Sequence, residues 1–390
     1  RHQIFDGTGT VTLGVNVAEV YPEWFGNNSS PGTTDMTSAF SKALAAMPTG
    51  GRLTIGPTTY LITSGLTVTK NRIIVEGAGL SSLLNFTPAT DSAKMWVTDG
   101  NKDNLVFRNF AMTLTNPATR DNIIGFEMSS DDNSTTFERL YIERFNKYGI
   151  HLTNSMYDRI LRCRFVDCDN SADGAYLAHA IRVDGYANNL IIRESRFGQN
   201  DVALSLNTAG GNVVIEGNSF ELNGDSGNPA GITHTVYLEN VKGAKITGNF
   251  FEANYTGSGT AVVRCDNCLA PEVSNNIFSG KDGATIRSYA FVYFYGAGTR
   301  YPIVKNNWME EVTGYFVISS NAVTKCHGNY YYDGGAERTT HAAIMALMNP
   351  PDLIELDIPV LYVWDPPSLV DGSGATSGDI TVAGASHGDR

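Results

Sequence analysis

The chain has 390 residues, of which 17% are charged, and its formal net charge is −12. This acidic balance argues against nucleic-acid backbones and anionic membranes as partners, because both are themselves negatively charged. No stretch approaches about 18 consecutive apolar residues, so no membrane span is expected, and the N-terminal segment lacks the apolar core of a signal peptide.

A short helix is predicted near the N-terminus, at residues 33–47. The segment reads TTDMTSAFSKALAAM, in which Met36, Phe40, Leu44 and Met47 recur at helical spacing after a Thr/Asp start. We expect this amphipathic helix to cover the open first coil of a repeat fold, whose strand edges would otherwise be exposed. Residues 1–32 form a distinct segment ahead of it.

A loose internal repeat fills the middle of the chain. Ten times an apolar residue is followed five positions later by a large apolar one, and the repeats start 22 to 32 residues apart. Their short alternating runs of Val, Ile, Phe and Tyr, bounded by Gly, Asn and Asp, indicate strands. We therefore predict an all-β fold, a right-handed parallel β-helix over residues 33–335. The repeats start at Val75, Phe107, Phe137, Ile160, Ile192, Ile215, Ile246, Val273, Val304 and Cys326.

Asparagines recur at one phase of the last five repeats. At this position a residue that tolerates the left-handed backbone conformation can turn the corner, and its amide can bond the equivalent amide of the next coil. We predict an asparagine ladder made of Asn218, Asn249, Asn276, Asn307 and Asn329.

The five cysteines are expected to be core thiols. Cys265 and Cys268 have metal-like spacing, but no second CxxC or CxxH accompanies them. The loop at 166–176, VDCDNSADGAY, is rich in aspartate, yet its spacing matches no EF-hand and favours a solvated loop. No metal or cofactor is predicted.

A second strand in each repeat points polar residues outward in two parallel columns. Apolar residues alternate inward along these strands, so the remaining side chains share one outer face. The column nearest the turn is Ser129, Thr153, Asp184, Asn207, Glu239, Asp266 and Tyr295. The column two residues earlier is Glu127, His151, Arg182, Ser205, Tyr237, Arg264 and Tyr293.

The middle of this face carries the candidate chemistry. Glycoside hydrolysis needs two carboxylates, about 5–5.5 Å apart for retention or about 6.5–9.5 Å apart for inversion. Glu239 and Asp266 are predicted neighbours, while Asp184 lies two coils from Glu239 with Asn207 between, so both spacings are available. The candidate catalytic residues are Glu239, Asp266 and Asp184; the candidate substrate-binding residues are Arg182, Arg264, Tyr237, Asn207, His151, Tyr293 and Tyr295. The alternative is that these are solvated surface residues in ion pairs.

The repeat is predicted to stop after Asp333. A short helix is expected at Thr340–Met348, and the apolar stretch LIELDIPVLYVW follows it within a C-terminal extension, residues 336–370. Residues 371–390 are rich in Gly, Ser and Thr and are predicted to begin a further β module that has been cut off.

The N-terminal motifs resemble a known superfamily. VYPEWFG at 20–26, TTDMTSAFSKAL and GGRLTIGPTTYLITSGLTV are similar to the opening segment of pectate-lyase-like β-helix proteins. IFDGTGTVTL and the closing GDITVAGASHGD resemble phage tailspike and tail-fibre proteins within that superfamily. The usual DGTTDDT is here SPGTTDMT, a departure at the helix start.

The resemblance implies a saccharide groove on the strand face and a homotrimer in a virion or outside the cell. It implies an endo-acting depolymerase of bacterial surface polysaccharide, with hydrolysis favoured. β-Elimination, with Arg182, Arg264, Tyr237 or His151 as the acting residues, and a receptor-binding adhesin without chemistry stay open as alternatives.

Overall fold

The fold was analysed in a computed structural model of the chain. The structure describes residues 3–7, 9–128, 133–170, 177–224, 234–282, 285–320, 323–333, 336–337, 348–349 and 354–357. Within these residues no helix is long and apolar enough to cross a membrane.

Three long sheets run the length of the molecule, and the chain visits them in the same order in every coil. Pairing between successive coils is parallel throughout the repeats, which confirms the predicted parallel β-helix. The strands of sheet A are Glu19–Val20, Arg52–Thr54, Ile74–Glu76, Val106–Arg108, Thr136–Glu138, Arg159–Leu161, Ile191–Arg193, Val214–Glu216, Lys245–Thr247, Glu272–Ser274, Ile303–Lys305, Thr324–His327 and Ile354–Asp357.

Sheets B and C complete each coil. The strands of sheet B are Thr59–Ile62, Leu83–Phe86, Ala111–Leu114, Tyr141–Glu143, Arg164–Val166, Arg196–Gly198, Ser219–Glu221, Phe250–Glu252, Ile277–Ser279, Trp308–Glu310, Tyr330–Asp333 and Ala336–Glu337. The strands of sheet C are Leu66–Val68, Lys94–Thr98, Ile124–Met128, Tyr148–Met156, His179–Asn188, Val202–Thr208, Val236–Glu239, Val263–Asp266, Ala290–Tyr295, Tyr315–Ser319 and Met348–Asn349. Lys281–Asp282 and Thr285–Ile286 form a small antiparallel pair.

The predicted helix is present as Thr37–Ala46 and buries Phe40, Ala43 and Leu44. It packs against Leu66–Val68, the first strand of sheet C. The helix begins later than predicted because Asp35 accepts hydrogen bonds from the backbone N–H and hydroxyl of Thr37, a local turn that precedes the first helical residue. Two 3₁₀ turns, Pro22–Trp24 and Pro117–Thr119, are the other described helical elements.

All ten predicted repeats align in register. Their starting residues occupy one inward column of sheet A, from Val75 to Cys326. In nine of the ten repeats the large apolar residue five positions later lies inward in sheet B, where phenylalanine rings stack on those of the next coil with centroids 4.7–5.0 Å apart. The exception is Leu80 of the first repeat, which is 67% exposed and precedes its sheet B strand, Leu83–Phe86. The stacked rings are Phe165, Phe197, Phe220, Phe251 and Phe278. All five cysteines are buried and free.

The asparagine ladder forms between sheets A and B. Each amide Nδ2 of Asn218, Asn249, Asn276 and Asn307 donates to the Oδ1 of the next ladder asparagine at 3.0 Å. The predicted backbone role is wrong by one residue: the left-handed conformation belongs to the preceding position, for example Asn275 at φ 55°. The preceding residue turns the chain, so the ladder asparagine itself points inward and is buried.

A second, shorter ladder joins sheets B and C. Asn200 donates to Asn223 at 2.8 Å, and Asn223 donates to Asn254 at 2.9 Å. The sequence did not suggest this ladder, because only three coils carry it and loops of different length follow it.

The described strands extend the coil at both ends of the predicted β-helix. Glu19–Val20, which precedes the predicted start of the β-helix at residue 33, pairs with Arg52–Thr54. Beyond the predicted end of the repeat at residue 335, Met348–Asn349 adds to sheet C and Ile354–Asp357 adds to sheet A. The open strand edges of the last full coil provide unpaired backbone groups for both additions. Met348 therefore lies in a strand, and the rest of the predicted helix at 340–348 lies outside the described residues, as do residues 371–390.

Replacing one buried ladder asparagine should destabilise the whole stack. Asn276→Ala removes donors and acceptors that bond Asn249, Asn307 and the carbonyl of Ile246. Each buried group left unsatisfied costs about 1–3 kcal/mol. Urea unfolding should show this loss for Asn276→Ala and little change for Lys245→Ala, an exposed side chain one coil away. Equal midpoints for the two variants would contradict the structural role of the ladder.

Candidate functional site

The outward face of sheet C, called here the groove face, holds the predicted polar columns. Strand register places the two columns as the alternation predicted, with each residue level with its counterpart on the next coil. Glu239 and Asp266 are paired neighbours, and Asn207 separates Asp184 from Glu239. Ser129 lies outside the described residues.

The face has a third column that sequence reasoning missed. Tyr148 and His179 are level with one another, three residues ahead of His151 and Arg182, and His234 stands in the equivalent position ahead of Tyr237. Strict alternation fails here because two successive residues point inward between the columns, such as Ala180 and Ile181 ahead of Arg182. Pairs of small or apolar residues at the start of each sheet C strand are the signal that could have revealed it.

His151 links two carboxylates on the first part of the groove face. Its Nδ1 lies 3.0 Å from Glu127 Oε2, and its Nε2 lies 3.0 Å from Asp184 Oδ2. Burial alone would lower the pKa of His151, but its hydrogen bonds to Asp184 and Glu127 outweigh burial and raise that pKa. The imidazole is therefore held in its protonated form more strongly than a free histidine.

Arg182 neutralises Asp184 from the same strand. Its Nε and Nη2 both donate to Asp184 Oδ1, at 2.8 and 2.6 Å, and its Nη1 donates to Ser205 at 2.7 Å. Burial would raise the pKa of Asp184, but the hydrogen bonds from His151 and Arg182 outweigh it and hold the pKa well below its usual range. Asp184 is thus a permanently ionised, fully engaged carboxylate rather than an acid. Ser205, predicted to point outward, is covered by this arrangement and is 1% exposed.

Arg264 repeats this arrangement further along the face. Its Nε and Nη2 donate to the two carboxylate oxygens of Asp266 at 2.7 and 2.8 Å. The guanidinium carbon also lies 5.0–5.9 Å from the ring centroids of Tyr237, Tyr293 and Tyr295, within the range of cation–π attraction. Asp266, predicted to be an open outward carboxylate, has a side chain only 9% exposed because Arg264 and the tyrosines enclose it.

His234 supports the same arginine. Its Nε2 lies 3.3 Å from Arg264 Nη1, and its Nδ1 lies 3.1 Å from the carbonyl oxygen of Ala261. Burial lowers the pKa of His234 to about 4, so the ring is neutral at ordinary pH. A neutral ring can donate through Nδ1 to Ala261 and accept at Nε2 from Arg264, which fixes the guanidinium.

Glu239 differs from the other carboxylates of the groove face. Glu127 contacts Lys94 and His151, Asp184 contacts Arg182, and Asp266 contacts Arg264. Among the described residues Glu239 has no cationic partner, and its carboxylate is partly exposed.

The hydroxyl of Tyr237 joins Glu239 to Asp266. It lies 3.2 Å from Glu239 Oε2 and 3.2 Å from Asp266 Oδ2. The two bridged oxygens can therefore be no further apart than the sum of those distances. Burial, followed by the charges of Asp266 and Glu239, raises the pKa of Tyr237, so the phenol stays protonated and can donate to either oxygen. The prediction that these two carboxylates are neighbours is confirmed.

The remaining predicted residues follow the same face. Asn207 is exposed between the two charged groups, and Tyr295 is 45% exposed at the far end. Of the aspartate-rich loop, residues 171–176 lie outside the described residues. In the part of the chain that is described, no group of three or more His, Cys, Asp or Glu side chains is arranged to hold a metal ion.

The sequence matches a known protein family over the residues that form most of the groove face. The family described as "Right handed beta helix region" matches residues 95–233 and, overlapping, residues 123–308. Together the two matches cover more than half of the sequence. No curated protein sequence matches the chain.

Solved structures share the fold at low sequence identity. The enzymatically active domain of tailspike protein 2 of bacteriophage CBA120 is 13% identical with a TM-score of 0.59, over 81% of this chain and 48% of that one. ORF18 of Geobacillus virus E2 is 14% identical with a TM-score of 0.56, over 82% of this chain and 62% of that one. The surface protein and adhesin PfbA of Streptococcus pneumoniae is 12% identical with a TM-score of 0.55, over 81% of this chain and 97% of that one. The chain thus spans less than two thirds of either viral protein.

The raised pKa of His151 predicts a pH-dependent stability. A folded-state pKa above the unfolded value of about 6.5 contributes stability that is complete below that value and is lost as pH rises through the folded pKa. Wild-type protein should therefore lose stability as pH rises from about 6.5 through the folded pKa, and His151→Gln should lack this component. Urea unfolding across that range measures it, with His327→Gln, a histidine of sheet A, as the control. Parallel pH profiles for wild type and His151→Gln would contradict the assignment.

Proposed function

The chain belongs to the right-handed β-helix family, and we propose that it is a depolymerase that cleaves bacterial surface polysaccharide by glycoside hydrolysis on its groove face. It acts within a phage tail or outside the cell. The likeness in fold to the enzymatically active domain of a phage tailspike supports this setting.

The observation that carries the proposal is the pairing of Glu239 with Asp266. Hydrolysis needs one carboxyl group that can exchange a proton with the substrate and a second that stays ionised beside the developing positive charge. Glu239 is accessible and has no cationic partner among the described residues, so it is the group that reaches the glycosidic oxygen. Asp266 is enclosed and bound by Arg264, so it supplies a fixed negative charge.

The arginines favour hydrolysis over β-elimination. A lyase has to neutralise the carboxylate of a uronate at the cleavage point, and a positively charged side chain usually does this. Arg182 and Arg264 are each already occupied by the aspartate two residues along the same strand. Neither guanidinium is therefore available as the electrophile that elimination needs, and the sugar next to Glu239 is expected to be neutral.

Substituting the proposed acid should abolish turnover without harming the fold. Glu239→Gln should lower the rate by about 10²–10⁴ while oligosaccharide binding is kept, because only the exchangeable proton is lost. Asp266→Asn and Asp184→Asn test the other two carboxylates. Asp266→Asn should lower the rate more than Asp184→Asn, because Asp266 lies beside Glu239. Glu194→Gln, an exposed carboxylate in the turn after the sheet A strand Ile191–Arg193, is the matched control.

The assay uses a panel of purified bacterial capsular and O-antigen polysaccharides. New reducing ends without ultraviolet absorbance indicate hydrolysis, and unsaturated products indicate a lyase. Binding without either product would identify an adhesin, as PfbA is named. Wild-type turnover in all three carboxylate variants would remove the reaction from this part of the groove face.

The same proposal includes a homotrimer, which a stripe on sheet B supports. Phe250, Ile277 and Trp308 occupy one outward column and are 36%, 47% and 42% exposed. Tyr330 continues the column and stacks on Trp308 with ring centroids 4.1 Å apart. Because these rings cover each other's faces, their apolar edges suit packing against protein better than stacking on sugars.

The charges beside the stripe fit a second copy of the chain. Glu252 and Glu310 flank the stripe on sheet B, and Lys245 and Lys325 stand on the adjoining sheet A. Sheet B of one copy placed on sheet A of the next brings opposite charges together, and repeating this contact around a three-fold axis closes a ring.

A lysine placed in the stripe should dissociate the assembly. Light scattering on size-separated protein should give the mass of three chains for wild type and of one chain for Trp308→Lys. Tyr157→Lys changes a residue that is 52% exposed and follows a sheet C strand, outside the sheets of the proposed contact, and it should stay trimeric. Wild-type protein with the mass of one chain would contradict the trimer.

A further inference from the structure

A cavity opens at the edge of the groove face, beside His151 but outside the predicted columns. Its volume is about 680 Å³, which is within the range of small-molecule sites. The lining residues are Ser92, Asn122, Asn146, Lys147, Tyr148, Leu177 and His179.

Tyr148 and His179 of the third column form the wall shared by the cavity and the groove face. The ring of Tyr148 lies 4.7 Å from that of His151 and 5.6 Å from that of His179, measured between centroids. A ligand in the cavity would therefore lie directly beside the chain of contacts that joins Glu127, His151 and Asp184. The register places Tyr148 three strands before Glu239, a distance of roughly 14 Å along the axis at about 4.8 Å per strand.

Within the described part of the chain, the positive charge of Lys147 in this cavity is not neutralised. Lys147 makes no ion pair with any described residue, whereas Lys94, Arg182 and Arg264 on the groove face are each bound to a carboxylate. The Nζ of Lys147 lies 5.5 Å from the ring centroid of Tyr148, and none of the seven lining residues is acidic.

The polar groups around Lys147 are mostly neutral hydrogen-bonding groups. Burial lowers the pKa of His179 to about 3, so its imidazole carries no charge at ordinary pH. Asn146 is already engaged, since its amide bonds the carbonyl of Pro117 and the backbone N–H of Ile123. Ser92, Asn122 and Tyr148 remain to bond sugar hydroxyls.

We propose that this cavity binds a carboxylate-bearing sugar unit of the polysaccharide, with Lys147 as the partner of the carboxylate. The inference rests on the proposed function and adds a substrate class to it. The polysaccharide is acidic, with its uronate unit held at Lys147 and a neutral unit presented to Glu239. Lys147 is a specificity residue and takes no part in bond cleavage.

Binding of free monosaccharides tests the cavity without any turnover. Ligand-observed NMR should show that the full chain binds glucuronate and galacturonate about tenfold more tightly than glucose and galactose, a difference of about 1.4 kcal/mol. Lys147→Gln should abolish the preference for the uronates, and added salt should weaken it in wild type. Lys242→Gln, an exposed lysine outside the cavity and outside the strands of the proposed subunit contact, is the matched control and should keep the preference.

The outcomes separate this inference from the proposed reaction. Glu239→Gln should bind glucuronate as wild type does, because Glu239 is not part of the cavity, so a failure of the hydrolase assignment leaves this result unchanged. Equal binding of acidic and neutral sugars by wild type, or an unchanged preference in Lys147→Gln, would overturn the inference. An equal loss in Lys242→Gln would also overturn it, because it would show nonspecific attraction.

Discussion

Parallel pairing in strict register is the constraint on which the molecule depends. Each coil is too thin to bury its own apolar side chains, so it must place them on identical positions of the coils before and after it. A slip of one residue would turn the column from Val75 to Cys326 outward and separate the phenylalanine rings stacked 4.7–5.0 Å apart. The asparagine amides allow even less freedom, because each bonds its counterpart directly. The outward side chains inherit this order and stand in columns, in which successive side chains are about 4.8 Å apart.

The arrangement of side chains in columns explains how charged groups pair on the groove face. Residues two apart on a strand point to the same side, so the Arg-x-Asp sequences at Arg182–Asp184 and Arg264–Asp266 close into ion pairs within a single strand. Both pairs are partly buried, where an unpaired ion would be costly, and each guanidinium satisfies its carboxylate with two hydrogen bonds. Among the described residues, charge on this face is thereby cancelled locally except at Glu239, and Lys147 in the neighbouring cavity is likewise unpaired.

The fold could be predicted from sequence because its signal is repeated ten times and each repeat is local. The columns followed from alternation, which is why Glu239 and Asp266 were correctly placed as neighbours. The enclosure of Asp266 could not be predicted, since it depends on how three tyrosines and Arg264 fold over the carboxylate. Tyr148, His179 and His234 were missed because two successive inward residues break the alternation ahead of each strand, and burial of that kind is decided by packing across coils.

The two unpaired groups give the groove face a direction. Among the described residues, the other charged groups of the groove face are paired. A polysaccharide lying along this face would therefore meet Lys147 near one end and Glu239 further along. An acidic sugar is drawn to the lysine and repelled by the glutamate, and only one orientation of the chain satisfies both. The repulsion keeps uronates away from the position where the proposed reaction occurs. Electrostatics that leave most of the face neutral would then select both the register and the direction in which the polysaccharide lies, before any contact specific to one sugar is made.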